Sequence, residues 1–145
     1  MSVDRPGGRV VALDPGTKRI GIAVSNSDQT MAFPRPALGV DPNRDPVPDI
    51  LALAESECAR VLVVGLPKSL SGAEGSAAQA ARALARRLEE HMDDAAYRVE
   101  LHDERLTTVE ASRSLQAAGL DSRAQRSLID SAAATVLLED FLRCQ

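Results

Sequence analysis

Two stretches of the chain are apolar almost without interruption at strand length, residues 9–13 and residues 60–65. Runs of that kind suit strands buried on both faces of a sheet. Ile20 to Ser25 reads as a further strand, tied to the first by a turn over 14–19 that is short enough for antiparallel pairing. Thr30 to Leu38 reads as a third strand, and Pro34 and Pro36 confine its end to a sheet edge. Asp45 before Pro46 predicts an N-cap and a helix reaching about Ala59. Ala77, Ala81, Leu84, Ala85 and Leu88 recur at helical spacing, which predicts a helix over 76–91. Tyr97 to His102 alternates, with Val99 and Leu101 on one face, as in a half-buried strand. Thr107 and Glu110 form a capping box for a helix ending at Gly119. Asp121 or Ser122 caps a last helix running to about Leu142.

The order is three short-linked strands, then helix, strand, helix, strand, helix, helix. An antiparallel meander joined to βαβ units gives an α/β fold: a five-stranded mixed sheet, three antiparallel strands plus two parallel, flanked by helices. With 145 residues and no internal repeat or dividing linker, a single domain over 9–145 is expected, preceded by a flexible N-terminus, 1–8.

Composition narrows the function. Apolar residues make up 44% of the chain, enough for a substantial core. Cys58 and Cys144 lie far apart and form no CxxC pair, the pattern of a reducing compartment. Cys58 falls in an apolar helical stretch and is expected in the core, Cys144 at the surface. A structural zinc is not expected from this usage. The first eight residues have no apolar signal-peptide core, and no segment has the length of a membrane span, so a cytoplasmic protein without membrane association is expected. A net charge of −4 disfavours sequence-independent binding along a nucleic-acid backbone, and three aromatics, Phe33, Tyr97 and Phe141, are too few for a base-stacking platform. A nucleic-acid substrate would have to be recognised through phosphate contacts, bound metal and local shape.

Three acids stand at segment ends: Asp14 after the first apolar run, Glu104 after residues 97–103, and Asp130 early in the last helix. A carboxylate at the end of a buried strand is costly unless a cation compensates it. Three that converge would suit one or two Mg²⁺ or Mn²⁺ ions, which prefer carboxylate oxygen and support phosphoryl-transfer chemistry. Each acid also has a plainer reading. Asp14 could make only an Asx-turn in the Gly-rich segment 14–21, where Gly16 and Gly21 permit close approach or positive φ. Glu104, with Asp103 beside it as a second candidate, could serve only the dipole of the following helix. Asp130 could point to solvent, although Ala133 and Ala134 place it beside a packing face.

Lys18 and Arg19 share the turn with Asp14 and could hold a phosphate; Arg105, Arg113, Arg123 and Arg126 lie near the other acids. Arg82, Arg86 and Arg87 read as a solvated helix face. His102 faces away from the Leu101 side and reads as structural or surface; Ser69 and Ser71 read as loop or cap residues.

The segments DPGTKRIGIAVS, VVGLPKSLSGAEG, HDERLTTVEA and IDSAAATVLL, in that order, resemble the YqgF family of bacterial proteins. The similarity runs from about Arg9 to Leu142. The resemblance implies a ribonuclease-H-like fold of the Holliday-junction-resolvase branch, with Asp14, Glu104 and Asp130 as catalytic, metal-binding acids. It also implies Mg²⁺ or Mn²⁺, a phosphodiester substrate, and a cytoplasmic role in maturing the 5′ end of pre-16S rRNA, in contact with ribosomal precursor particles. Lys18, Arg19, Arg105, Arg123 and Arg126 would then be the substrate contacts. In many members the loop after Gly-Leu-Pro carries Asn and then Asp-Gly; here Ser69 and Ser71-Gly72 stand there, which leaves that loop's contribution open.

Alternatives differ in class. An actin-like or sugar-kinase-like ATPase also begins with Asp-x-Gly-Thr, but needs a second such loop and about twice the length. A Holliday-junction resolvase acting on branched DNA would use the same acids and should dimerise, whereas an rRNA-trimming enzyme can be a monomer. A catalytically weak ribosome-assembly factor on the same fold would carry the acids without turnover.

Overall fold

The computed structural model describes residues 8–16, 18–67, 75–91, 98–104 and 122–144; for Glu104 and residues 122–130 it describes the backbone path alone. Strands β1 (Arg9–Pro15), β2 (Arg19–Ser25) and β3 (Ala32–Gly39) are followed by helix α1 (Val47–Ser56), β4 (Ala59–Pro67), α2 (Ser76–His91), β5 (Arg98–Glu104) and α3 (Ser122–Arg143). The helix expected between Thr107 and Gly119 lies outside the described residues, as do Ser69, Ser71, Tyr97, Arg105 and Arg113.

The strands form one sheet in the order β3-β2-β1-β4-β5. β1–β2 and β2–β3 pair antiparallel; β1–β4 and β4–β5 pair parallel. The mixed sheet read from the sequence is the one observed. β1 and β4 are central because both faces of each are apolar. Val11, Leu13, Leu62 and Val64 pack toward α1 and α2, whereas Val10, Ala12, Val61 and Val63 pack beneath α3. On β2, Ile20, Ile22 and Val24 join the first layer and Ala23 the second. Such burial is the main favourable term, about 1.5–3 kcal/mol for each large side chain fully removed from water.

α2 buries Ala78, Ala81, Leu84, Ala85 and Leu88. Ala78 replaces the expected Ala77, which is exposed; the two lie three and four residues before Ala81, and the buried stripe runs through the first of these spacings. Its Arg82, Arg86 and Arg87 are exposed, as expected of a solvated face. α1 ends three residues early. Cys58 adopts φ 56° in the turn between α1 and β4, and its thiol is exposed, not in the core. A turn this tight must place one residue in the left-handed region, and that residue's side chain points outward. The α1 start is also shifted by a residue: Pro46 occupies the cap position. Asp45 still does a cap's work, accepting the Val47 N–H at 3.0 Å. Leu101 is 37% exposed, against expectation, because β5 is an edge strand whose outer half α2 leaves open, while Val99 alone packs on the core.

Candidate active site

β1 continues two residues beyond its apolar run, so Asp14 lies within the strand and not in the turn. It pairs with Gly21 of β2, and Pro15 pairs with Ile20. Alternation fixes its face. Leu13 points into the α1–α2 layer and Ala12 under α3, so Asp14 lies on the α3 face, half-buried.

The turn that follows is closed by the Gly16 N–H donating to Arg19 O at 3.0 Å. A Cβ on Gly16 would sit 2.6 Å from that same carbonyl oxygen. The glycine is therefore required by the hairpin's own backbone. Lys18 and Arg19 are exposed at its tip, and the Val40 N–H donates to Lys18 O at 2.9 Å, which ties the tip to the end of β3.

On the other side of Asp14 runs β4. The last pair of the β1–β4 ladder, Leu13 with Val64, puts Gly65 next in register beside Asp14. Gly65 in turn pairs with His102 of β5, and Pro67 pairs with Glu104. Gly65 shares parity with Val61 and Val63, so it too lies on the α3 face. Asp14 is thus flanked by Gly21 on one neighbouring strand and buried Gly65 on the other. Neither presents a side chain. The backbones of β1 and β5 lie two strand spacings apart, about 10 Å. Nothing projects from Gly65 into the space over β4, which leaves room for acidic side chains from both flanking strands. Glu104 is the last residue of β5, within the strand and not after it, and it shares the two-residue repeat of His102.

The third acid comes from α3. Asp130 precedes Ser131, which is fully buried. Ser131 Oγ accepts the Ile22 N–H at 3.0 Å and donates to Arg35 O. Ile22 and Arg35 face one another across β2 and β3, where the register shifts. The hydroxyl is spliced into the ladder at that bulge, supplying the acceptor and the donor that the displaced strands do not give each other. It fixes α3 one residue from Asp130 against Ile22, the neighbour of Gly21, which pairs with Asp14. The backbone of Asp130 is therefore brought close to Asp14, and that of Glu104 to the same end of the sheet. The side chains of Glu104, Arg123, Arg126 and Asp130 lie outside the described residues. Sequence reasoning missed Gly65, which reads as a strand terminus, and Ser131, whose partners are distant in sequence. The small-residue run after Asp130 was the available signal.

Further along, α3 meets β5. His102 Nε2 and Asp140 Oδ2 are 2.7 Å apart, and the imidazole meets the Phe141 ring edge-on, 5.6 Å between centroids. Arg143 donates to Asp140 Oδ1 at 3.2 Å. The hydrogen bond with His102, followed by that from Arg143, holds the Asp140 carboxyl below its ordinary value. His102 faces away from the Leu101 side of β5, as its alternation suggested, and joins that strand to α3 through Asp140. An open groove of about 530 Å³, lined by residues including Met31, Glu139 and Arg143, lies at the opposite end of β3 from the acids. Among the described residues no helix is long and apolar enough to cross a membrane.

This sheet order, with one helix laid across the face that carries Asp14, defines an α/β protein of the ribonuclease-H-like class. Two structures of Thermus thermophilus RuvC share the fold. One, in complex with a Holliday junction substrate, superposes with a TM-score of 0.56 at 13% identity over 94% of each chain. The other gives 0.51 at 14% identity, over 94% of this chain and 95% of its own. The chain belongs to the RuvX family, described as Holliday junction resolvase, whose model matches residues 8–144. A relative from Rhodococcus erythropolis, named "Putative pre-16S rRNA nuclease", is 41% identical over 97% of this chain and 81% of its own length. Relatives under the same name from Nocardia farcinica and Thermobifida fusca are 44% and 45% identical, over 93% and 91% of this chain and 77% and 85% of theirs.

Proposed function

We propose that this chain is a metal-dependent nuclease that hydrolyses phosphodiester bonds in the 5′-end maturation of pre-16S rRNA, on ribosomal precursor particles in the cytoplasm. The observation that carries the reading is the glycine-flanked position of Asp14 on the α3 face, at the end of the sheet where β5 finishes at Glu104 and Ser131 anchors α3 beside Asp130. The names borne by the relatives support the substrate. Residues 9–145 act as one nuclease domain.

Asp14, Glu104 and Asp130 would hold the metal. An all-carboxylate donor set fits a hard cation, Mg²⁺ or Mn²⁺, and not a soft one. Ions bound there supply a water of lowered pKa and stabilise the leaving oxygen. The chain itself does the rest. Asp14 is held by strand pairing with Gly21 of β2, one residue beyond the end of the β1–β4 ladder, so its carboxylate is aimed without a flexible linker. Lys18 and Arg19, at the hairpin tip two strand positions beyond, neutralise the phosphate backbone, assisted by Arg105, Arg123 and Arg126. Asp103 takes no part, since its parity puts it on the opposite face of β5.

The second reading is a Holliday-junction resolvase acting on branched DNA, favoured by the description of the matching family. It predicts a homodimer with two active sites on one junction. The deciding experiment incubates the protein with labelled pre-16S rRNA leader and with a four-way DNA junction, in Mg²⁺, Mn²⁺ or chelator, beside a measured molecular mass. Metal-dependent RNA cleavage that Asp14→Asn abolishes is expected. Cleavage of the junction alone by a dimer favours the resolvase, and no cleavage of either by a protein that binds precursor particles favours an assembly factor.

A further inference from the structure

Among the described residues, one group of side chains outside the acidic site has the donors of a metal centre: His102, Asp140 and Cys144, whose ligand atoms all lie within 4.8 Å of one another. We propose that these three residues form a second metal site, selective for Zn²⁺, that clamps the end of α3 to β5.

Three features make the group more than a chance neighbourhood. Asp140 and Cys144 are four apart at the end of α3, the spacing that puts two donors on one helix face. His102 reaches them from a different element and is already oriented, its ring fixed by the edge of Phe141 and its Nε2 directed at Asp140 Oδ2. Arg143 occupies Oδ1 of the same carboxylate, which leaves Oδ2 as the donor and restricts the carboxylate's rotation. Such outer contacts are what orient first ligands in metal sites.

One imidazole nitrogen, one thiolate sulfur and one carboxylate oxygen form a mixed set that favours Zn²⁺ over Mg²⁺ or Mn²⁺, with water completing a tetrahedron. Binding replaces the His102–Asp140 hydrogen bond by two metal bonds, and the proton that this bond held leaves Nε2, the neutral ring keeping its proton on Nδ1. The Cys144 S–H bond breaks, its proton passes to solvent, and a Zn–S bond forms; nothing is oxidised or reduced. Cys144 is exposed, so its side chain can rotate to close the remaining distance. Ten residues of helix, about 15 Å, separate Asp140 from Asp130; on β5 His102 and Glu104 are two residues apart, so the two sites adjoin along that strand but draw on different donors.

The test uses the full chain freed of metal. Zinc titrated against a competing chelating dye is expected to bind at one equivalent and to raise the melting temperature. Cobalt in its place is expected to show a thiolate charge-transfer band and tetrahedral d–d absorption. Cys144→Ser and His102→Gln should each weaken zinc binding at least about tenfold and remove the charge-transfer band or perturb it. Cys58→Ser, which removes the other exposed thiol, and Asp14→Asn should leave both signals intact. Cys144→Ser alters only an exposed side chain and keeps the test valid if His102→Gln fails to fold. Failure of wild type to bind zinc, binding unaltered by Cys144→Ser, or a band lost with Cys58→Ser would overturn the site. None of these outcomes bears on cleavage by the acidic centre.

Discussion

Ser131 Oγ accepts the backbone N–H of Ile22 at 3.0 Å, a contact between residues 109 apart in the chain. Through it the helix that carries Asp130 is indexed to the strand beside Asp14. Ser131→Ala removes the partner of a buried N–H and of a part-buried carbonyl. The expected cost is about 1–3 kcal/mol in urea unfolding, with loss of cleavage in the folded fraction. Ser131→Thr, which keeps the hydroxyl, should recover part of both. A Ser131→Ala protein with unchanged stability and turnover would show that the hydroxyl indexes nothing.

Gly65 is expected to matter for reaction more than for folding. Valine there suits a strand, yet it places a branched side chain on the α3 face between Asp14 and β5. Gly65→Val should lower cleavage at least about tenfold, with a stability change within the 1–3 kcal/mol typical of overpacking. Parallel measurement of turnover and chemical denaturation checks this. Normal turnover would mean that the acids do not meet across β4.

Lys18 is exposed at the tip of the β1–β2 hairpin. If it meets the backbone next to the scissile phosphate, Lys18→Ala should weaken RNA binding and flatten its salt dependence by about 0.7–0.9 in the log–log slope, one phosphate's worth. Titrations at several salt concentrations read the slope directly. An unchanged slope would leave Arg19, Arg105, Arg123 and Arg126 to supply the phosphate contacts.

Asp45 sets a pH dependence. The Val47 N–H, and then Arg87, hold its carboxyl below the ordinary value of 3.8. A depressed carboxyl stabilises the fold fully above its unfolded value, and the contribution disappears as pH falls through the folded one. Asp45→Ala should therefore melt lower than wild type by a constant margin between pH 7 and pH 5, a margin that closes below 3.8. Melting curves across that range decide it; a gap that persists in strong acid would mean the aspartate acts by packing and not by charge.

Legibility varied with the range of the interactions involved. β1, β4 and α2 were readable because each is specified by its own consecutive residues, through a continuous apolar run or a helical repeat. The antiparallel-then-parallel pattern followed from connection lengths alone. Asp14 was found as a candidate, but its place inside β1 was not, since an aspartate before Pro-Gly reads locally as turn. Cys58 was misread because the left-handed turn that expels it is fixed by where β4 begins and not by the apolar residues around it. Gly65 and Ser131 carry little signal of their own, and their roles exist only once β4, β2 and α3 are side by side.

Arg35 turns its carbonyl toward β2, where Ser131 takes it up. The residues on either side of Arg35 are Pro34 and Pro36. In an extended strand, neighbours of an inward-facing residue present their amide positions outward, and Pro34 has no N–H to present. The open edge of the sheet at β3 is therefore poor in donors along its middle. A strand from another molecule laid against it would find no ladder to extend, so this edge resists runaway strand addition. Two copies brought together on a branched substrate would not join their sheets through β3.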